Sequence, residues 1–193
     1  MSHLLLKNTL LAAIDFESAG EQRGEAAIPI QVGIAEMKNL QLNPSSFYRS
    51  YLQSERSVTW SAQQVHGISD DDLKDAPSLL SLWPEFQQRL SKRILVAHGR
   101  GTERRFLRAF PMHGFGPWID TLTLSRKLLP GLSSYSLSDL IVQCNLYKTL
   151  DTLLPGFRFH EALSDALASL VLLQHLIEEA DLAHRPVELL LAD

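Results

Sequence analysis

An apolar run near the start of the chain, residues 10–17, ends in two carboxylates one position apart. A run of this length, bounded by a turn at Gly20, predicts a buried strand. Side chains two positions apart in a strand point to the same face, so Asp15 and Glu17 are expected side by side. Neighbouring carboxylates repel each other and are costly to desolvate, and a divalent cation is the usual compensation. The alternative is an ordinary strand end whose acids face water.

Short apolar runs bounded by turn residues predict four more strands. Together with the first, the predicted strands cover residues 10–17, 28–37, 46–52, 94–97 and 118–120. The first three are joined by short links, including the polar loop 21–25, which indicates an antiparallel meander.

Helical spacing of apolar residues predicts the intervening elements. The predicted helices cover residues 60–67, 77–90, 101–110, 121–129, 136–144 and 161–180. The acidic run 70–72 is expected to be a solvated loop, and residues 149–159, which contain Pro155 and Gly156, a longer loop. Small residues in the last helix indicate close packing against the sheet. No repeat or linker divides the chain, so it is expected to form one α/β unit.

Composition and charge narrow the class of protein only slightly. A hydrophobic content of 45% with 21% charged residues is ordinary for a globular domain. The net charge of -4 gives no global basic field for nucleic acid, although local arginine clusters can still bind phosphates. One cysteine, Cys144, excludes an internal disulfide framework and fits a reducing compartment. No membrane-spanning stretch and no signal peptide are expected, and the expected location is the cytoplasm.

The predicted helix from residue 101 carries an acid on its apolar side. Glu103 stands at i, with Phe106, Leu107 and Phe110 at i+3, i+4 and i+7, so all four share one face. Glu103 is therefore expected to point inward. Four arginines lie away from this face, and both a solvated surface and a phosphate-binding patch fit them. They are Arg100, Arg104, Arg105 and Arg108.

Ionisable residues recur at the ends of the predicted core elements. They are Asp15, Glu17, Glu103, Asp165 in the first turns of the last helix, and His160 in the loop before it. Four carboxylates and one histidine suit a phosphodiester-hydrolysing site with two Mg²⁺ or Mn²⁺ ions roughly 3.5–4 Å apart. A histidine near the attacking water can act as the general base, because its ordinary pKa lies near neutrality.

The motifs together resemble a known family, although no single motif is diagnostic. The matching segments, in the family's order and spacing, are residues 14–20, 30–33, 65–68, 95–103, 120–122, 135–137 and 160–166. From about Leu10 to Ala180, the chain resembles the DEDDh 3'→5' exonucleases of the ribonuclease H-like fold. Their relatives include the proofreading subunit of bacterial replicative polymerase, ribonuclease T and oligoribonuclease.

The resemblance implies a single exonuclease domain over residues 1–193, with a central mixed five-stranded sheet flanked by helices. It also implies that Asp15, Glu17 and Asp165 bind the first metal and that Asp15 reaches the second. Glu103 stands at the position of the fourth acid. His160 would orient and deprotonate the nucleophilic water.

The middle motif departs from the family pattern His-Asn-Ala-x-Phe-Asp. This chain has His98-Gly99-Arg100-Gly101-Thr102-Glu103, so glutamate replaces the aspartate. The extra methylene moves the carboxylate oxygens by about 1.5 Å along an extended bond path. Two outcomes fit the longer side chain: Glu103 binds the metal directly or is tolerated, or it weakens binding of the second ion because Mg²⁺ demands near-ideal octahedral geometry. Mn²⁺ is expected to be more forgiving of the change. Because the asparagine and the phenylalanine are missing, the resemblance does not imply that this chain handles the terminal nucleotide as the family usually does.

Two classes of function fit these motifs. The first is a metal-dependent 3'→5' exonuclease that acts on single-stranded DNA or RNA ends and releases nucleoside 5'-monophosphates. The second is a catalytically impaired module that binds nucleic acid or a protein partner. The retained acids and His160 favour the enzyme, because an inactive site has no physical reason to keep costly groups together. They also disfavour a ribonuclease H-like nuclease without a histidine base. The sequence leaves open whether the substrate is DNA or RNA. It also leaves open whether the protein forms a homodimer or has a polymerase partner.

Other motif residues fit structural roles better than chemical ones. His66 and His98 are interpreted as supporting rather than catalytic residues. Trp60, Trp83 and Trp118 are available for base stacking, but their spacing favours core positions.

Overall fold

The structure is a computed structural model that describes residues 4–22 and 24–192. Part of the predicted polar loop, Arg23, and the start of the chain, residues 1–3, lie outside the described residues. Within the described part, no helix is both long enough and apolar enough to cross a membrane.

The described chain forms one mixed sheet of five strands in the order β3-β2-β1-β4-β5. Strands β1, β2 and β3 form the predicted antiparallel meander, while β4 and β5 run parallel to β1. The strands are β1 Leu10–Ser18, β2 Pro29–Lys38, β3 Gln41–Tyr51, β4 Ile94–Ala97 and β5 Trp118–Asp120. Because β1, β4 and β5 are parallel, their carboxyl ends meet at one edge of the sheet.

Helices cover both faces of this sheet, so the predicted fold class is confirmed. The helices are α1 Trp60–His66, α2 Trp83–Leu90, α3 Gly101–Leu107, α4 Thr121–Leu128, α5 Leu137–Gln143, α6 Tyr147–Leu153 and α7 Ala162–Glu179. Side-chain caps begin several of them, because the first backbone N–H groups of a helix lack internal partners. Thr59 caps α1, Ser136 caps α5 and Asp120 caps α4.

Side chains of the central strand alternate between two apolar layers. Leu11 and Ala13 pack in the layer that contains α7, whereas Ala12, Ile14 and Phe16 pack in the layer that contains α2 and α3. This alternation has the period of two that a strand requires. Asp15 continues the series of Leu11 and Ala13, so the register directs it toward the α7 side.

Gly33 on β2 allows α7 to approach the sheet at backbone contact. A Cβ atom at Gly33 would lie 2.1 Å from the carbonyl carbon of Ala162 and from the nitrogen of Leu163. The amide of Gln31, buried on the same strand, accepts a hydrogen bond from the Ala162 N–H at 2.9 Å. The expected close packing of the last helix is therefore confirmed, and it fixes the start of α7 against β2.

Two segments predicted as loops contain helical turns. Residues 149–159 begin inside α6, because Leu146, Leu150, Leu153 and Leu154 have helical spacing and pack against the α7 layer. The run Asp70–Leu73 is a 3-10 turn rather than a loop, capped by Ser69 and Asp72.

The helix predicted over 77–90 is interrupted near its start. Residues Leu79–Leu82 form a 3-10 turn, and the α-helix begins only at Trp83. Pro84 explains this boundary, because it has no N–H to donate to a preceding carbonyl and favours the first turn.

The tryptophans occupy three different environments. Trp118 is buried, and Trp83 is half-buried and stacks on Phe110 with ring centroids 5.3 Å apart. Trp60 is 75% exposed at the first position of α1, so the core position predicted for it is wrong.

Candidate active site

The first two acids of the site lie at the carboxyl end of the central strand. Asp15 pairs with Gly33 and Glu17 with Gln31 across the β1–β2 ladder, so both belong to the strand as predicted. A register shift follows between Glu17 and Ser18, where the strand leaves its regular pairing. Both carboxylates are half-buried rather than free in solvent.

The start of α7 carries the next two predicted site residues. His160 adopts a left-handed backbone conformation with φ of 60°, which turns the chain into the helix. Its backbone N–H donates to Asp165 Oδ2 at 3.0 Å. One potential ligand atom from each of Glu17, His160 and Asp165 lies within 4.8 Å of the others. The structure therefore brings these three side chains together from opposite ends of the sequence.

Glu103 enters the site from the other helical layer. Strand β4 pairs with β1 only as far as Ala13, and α3 follows β4 beyond that point. Glu103 in the first turn of α3 is only 4% exposed, which agrees with its predicted inward face. Among the neighbouring charges, that of Glu103 contributes most to the raised pKa of Asp15.

Crowding and burial make all four carboxyl groups hard to ionise. Burial, followed by repulsion from Glu103, Asp165 and Glu17, raises the pKa of Asp15 well above its usual range. Burial also raises the pKa of Glu17, of Glu103 and of Asp165, each to about 7. Repulsion from Glu17 adds to the shift at Asp165, while the His160 N–H opposes it. Arg105 opposes the shift at Glu103 without cancelling it.

The donor set fits divalent cations. Asp165 Oδ1 and Glu103 Oε2 are buried and have no hydrogen-bond partner among the described residues. None of the four acids forms a salt bridge within the part of the chain that the structure describes. Mg²⁺ and Mn²⁺ bind carboxylate oxygens, and a bound ion would stabilise acids that are buried, crowded and unpaired.

A fifth acid, Glu161, lies beside the site and was not predicted as part of it. It is 4% exposed, and its Oε2 caps α7 by accepting from the N–H of Ser164 at 2.9 Å and its Oγ–H at 2.8 Å. Its Oε1 accepts from Arg49 Nη1 on β3 at 3.1 Å. Repulsion from Glu161 contributes to the raised pKa of Glu17. An acid immediately before a helix is the signal that predicts such a cap.

The two motif histidines hold loops in place. The His66 ring lies 3.1 Å from the Ser18 carbonyl and 3.0 Å from the Ile68 nitrogen. The His98 ring connects Thr121 Oγ1 at 3.0 Å with the Tyr135 carbonyl at 2.9 Å. Both pKa values are lowered, mainly by burial. These contacts agree with supporting rather than catalytic roles.

The helix-flanked five-stranded mixed sheet matches the fold of ribonuclease H-like exonucleases, and a family match supports a nuclease hydrolase. A family model described as exonuclease, RNase_T, matches residues 12–173. The chain belongs to this exonuclease family, and the resemblance drawn from its motifs is confirmed. Members of the family typically use divalent metals.

Two similar proteins are a PolC-type DNA polymerase III and a DNA polymerase III subunit epsilon. The chain is 29% identical over 165 residues to the PolC-type DNA polymerase III of Thermotoga petrophila. The aligned residues cover 83% of this chain and 11% of that protein. The chain is also 28% identical over 162 residues to the DNA polymerase III subunit epsilon of Rickettsia felis. That alignment covers 79% of this chain and 67% of the subunit. The chain therefore spans only a small part of the PolC-type relatives.

Solved structures share the fold. Exonuclease X in complex with 5' overhanging duplex DNA has a TM-score of 0.72 and 24% identity, covering 91% of this chain and 96% of that one. The nuclease domain of 3'hExo, a DEDDh family member bound to rAMP, has a TM-score of 0.73 and 15% identity, covering 92% and 96%.

Proposed function

We propose that the protein is a metal-dependent 3'→5' exonuclease. Its substrate would be a single-stranded DNA or RNA end, and its product a nucleoside 5'-monophosphate. The observation that carries the proposal is the convergence of Glu17, His160 and Asp165 within 4.8 Å, beside buried and unpaired carboxylate oxygens. Membership of the exonuclease family supports the same reaction class.

Four acids would hold two Mg²⁺ or Mn²⁺ ions in this proposal. Asp15, Glu17 and Asp165 would bind one ion, and Asp15 with Glu103 would bind the other. Bound divalent ions supply positive charge that polarises the phosphate and lowers the pKa of water. The crowded carboxylates then become ionised, which they resist without a cation.

His160 is proposed as the general base. It is exposed beside Glu17 and Asp165, where solvent can reach its side chain. Its imidazole would take a proton from the attacking water, whose oxygen forms the new bond to phosphorus. The bond from phosphorus to the 3' oxygen of the preceding nucleotide would break, and that oxygen would take a proton from solvent to become the new 3'-hydroxyl. The left-handed turn at His160 and the hydrogen bond from its backbone N–H to Asp165 hold the His160 backbone beside the cluster.

We also propose that residues 1–193 act as one exonuclease domain, since one sheet and its helices account for the described chain. The polymerase III relatives support a nucleic acid strand and a polymerase as partner types.

A catalytically impaired binding module is the second candidate, because Glu103 replaces the family's aspartate. The buried, unpaired Glu103 Oε2 argues against it, since a binding module gains nothing from an unsatisfied buried oxygen. The enzyme therefore remains the favoured function.

The test is degradation of 5'-labelled single strands of DNA and RNA, in Mg²⁺ and in Mn²⁺, beside an Asp15→Asn variant. We expect ladders that shorten from the 3' end and disappear in the variant. A strand with a phosphorothioate at its last 3' linkage is the directional control and should resist attack. No cleavage under any condition by the folded protein would leave the binding module.

A further inference from the structure

A pocket of about 360 Å³ opens beside the start of α7, on the β3 side of the acid cluster. Its walls come from β3, from the loop after α6 and from the first turn of α7. Its lining includes Phe47, Arg49, Pro155, Arg158, Glu161 and Ser164. The volume lies within the range of small-ligand sites, at its lower end.

The pocket carries a surplus of positive charge. Arg158 is exposed, and within the described residues its side chain has no hydrogen bond and no ion pair. Arg49 is half exposed and uses Nη1 on Glu161 at 3.1 Å. Glu161 is already satisfied, because it also accepts two hydrogen bonds from Ser164. The charge of Glu161 is therefore balanced by that of Arg49. The positive charge of Arg158 is left to bind a ligand.

The remaining walls suit the uncharged part of a nucleotide. Phe47 and Pro155 offer an aromatic ring and a flat apolar ring. Aromatic side chains stack on nucleobases without regard to sequence, while arginine binds phosphate through paired N–H donors. The combination is a charged end beside an apolar wall.

We propose that this pocket binds one nucleotide, with its phosphate on Arg158 and Arg49 and its base or sugar against Phe47 and Pro155. The inference rests on the proposed function for its ligand class, but uses none of the four acids. The nucleotide is either a free nucleoside monophosphate, which the proposed reaction releases, or one unit of the bound strand. Glu161 links this pocket to the cluster, because it directly follows His160 and caps the helix that carries Asp165.

The test measures dissociation constants with the full chain carrying Asp15→Asn in Mg²⁺, so that the ligand is not hydrolysed. The probes are dAMP and AMP by calorimetry, and a 5'-fluorescein-labelled single-stranded 10-mer by anisotropy. Arg158→Ala is the main variant, because the Arg158 side chain forms no hydrogen bond or ion pair that would be lost within the described residues. Arg185→Ala is the matched control, since it is exposed near the amino end of β1, at the opposite edge of the sheet.

Loss of one charge-assisted phosphate contact should weaken binding about tenfold in Arg158→Ala. The Arg185→Ala control should stay within about twofold. Weaker binding of the mononucleotides assigns the pocket to free nucleotide, and weaker binding of the 10-mer alone assigns it to the strand. Equal affinities of Arg158→Ala and the control for every probe would overturn the proposal. Absence of strand cleavage by the wild type, with Arg158→Ala still defective in binding, would instead overturn the exonuclease and leave the pocket.

Discussion

Gly33→Ala should separate the contribution of helix placement from that of the acids themselves. The substitution adds one methyl group on β2, at a point where α7 touches the strand through its backbone. Neither Gly33 nor its neighbours in α7 belongs to the proposed set of metal ligands. The added methyl group nevertheless pushes on the helix that carries Asp165 and follows His160.

The size of the effect follows from the contact distances. The new Cβ would lie 2.1 Å from the Ala162 carbonyl carbon, whereas ordinary contact begins at 3.4 Å, so α7 must retreat by about 1.3 Å. Such overpacking costs about 1–3 kcal/mol. The Gln31–Ala162 hydrogen bond, now 2.9 Å, would break and add roughly 1 kcal/mol. A shift of about 1 Å at Asp165 can slow the reaction about 100-fold.

Urea denaturation measures the first effect, and release of nucleotides from a labelled strand measures the second. Gly101→Ala is the control for stability, because a Cβ there meets no atom within 4 Å and the residue opens α3. It should stabilise the fold by about 0.4–1 kcal/mol. A Gly33→Ala protein with wild-type stability and rate would refute the account of how α7 is positioned.

Three further predictions concern the site. Because burial raises the pKa of Glu17, Glu103 and Asp165 to about 7, the metal-free fold holds protons that the unfolded chain has already lost. Its free energy of unfolding should therefore fall as pH rises from about 4 to above 7, and a flat profile in urea titrations with EDTA would contradict this. Glu103→Asp should raise the rate in Mg²⁺ relative to that in Mn²⁺, measured as a ratio on one strand, and an unchanged ratio would show that the longer acid does not distort the second ion. Arg104→Ala and Arg108→Ala each remove an exposed guanidinium group that forms no salt bridge within the described residues. If these arginines bind phosphate, each substitution should reduce the magnitude of the slope of log affinity against log salt concentration by about 0.7 for single strands. An unchanged slope would show that this face of α3 is only solvated.

Periodicity was sufficient to predict the part of the site that lies on regular elements. A period of two directs Asp15 toward α7, and a helical stripe directs Glu103 inward, where it is 4% exposed. Both results depend on local geometry alone. The motif order added the distant partner, Asp165, which no local pattern connects to the first strand.

The remaining features depend on contacts between distant segments. Arg49 and Glu161 are 112 positions apart, and no periodicity relates them. Trp60 has the apolar character of a core residue, yet it is 75% exposed because α1 presents its first position outward. The sequence predicted a loop where α6 ends, because Pro155 and Gly156 are turn-forming residues. They follow the helix, however, and Leu150 within it is fully buried.

The most direct test of the central claim is calorimetric titration of the metal-free protein with Mn²⁺. In the proposed function, Asp15, Glu17, Glu103 and Asp165 together bind two divalent ions. We predict two Mn²⁺ ions per chain in the wild type and loss of at least one ion in Asp15→Asn, together with proton release near pH 6. A wild type that binds no Mn²⁺, or a variant that binds as many ions as the wild type, would contradict the account.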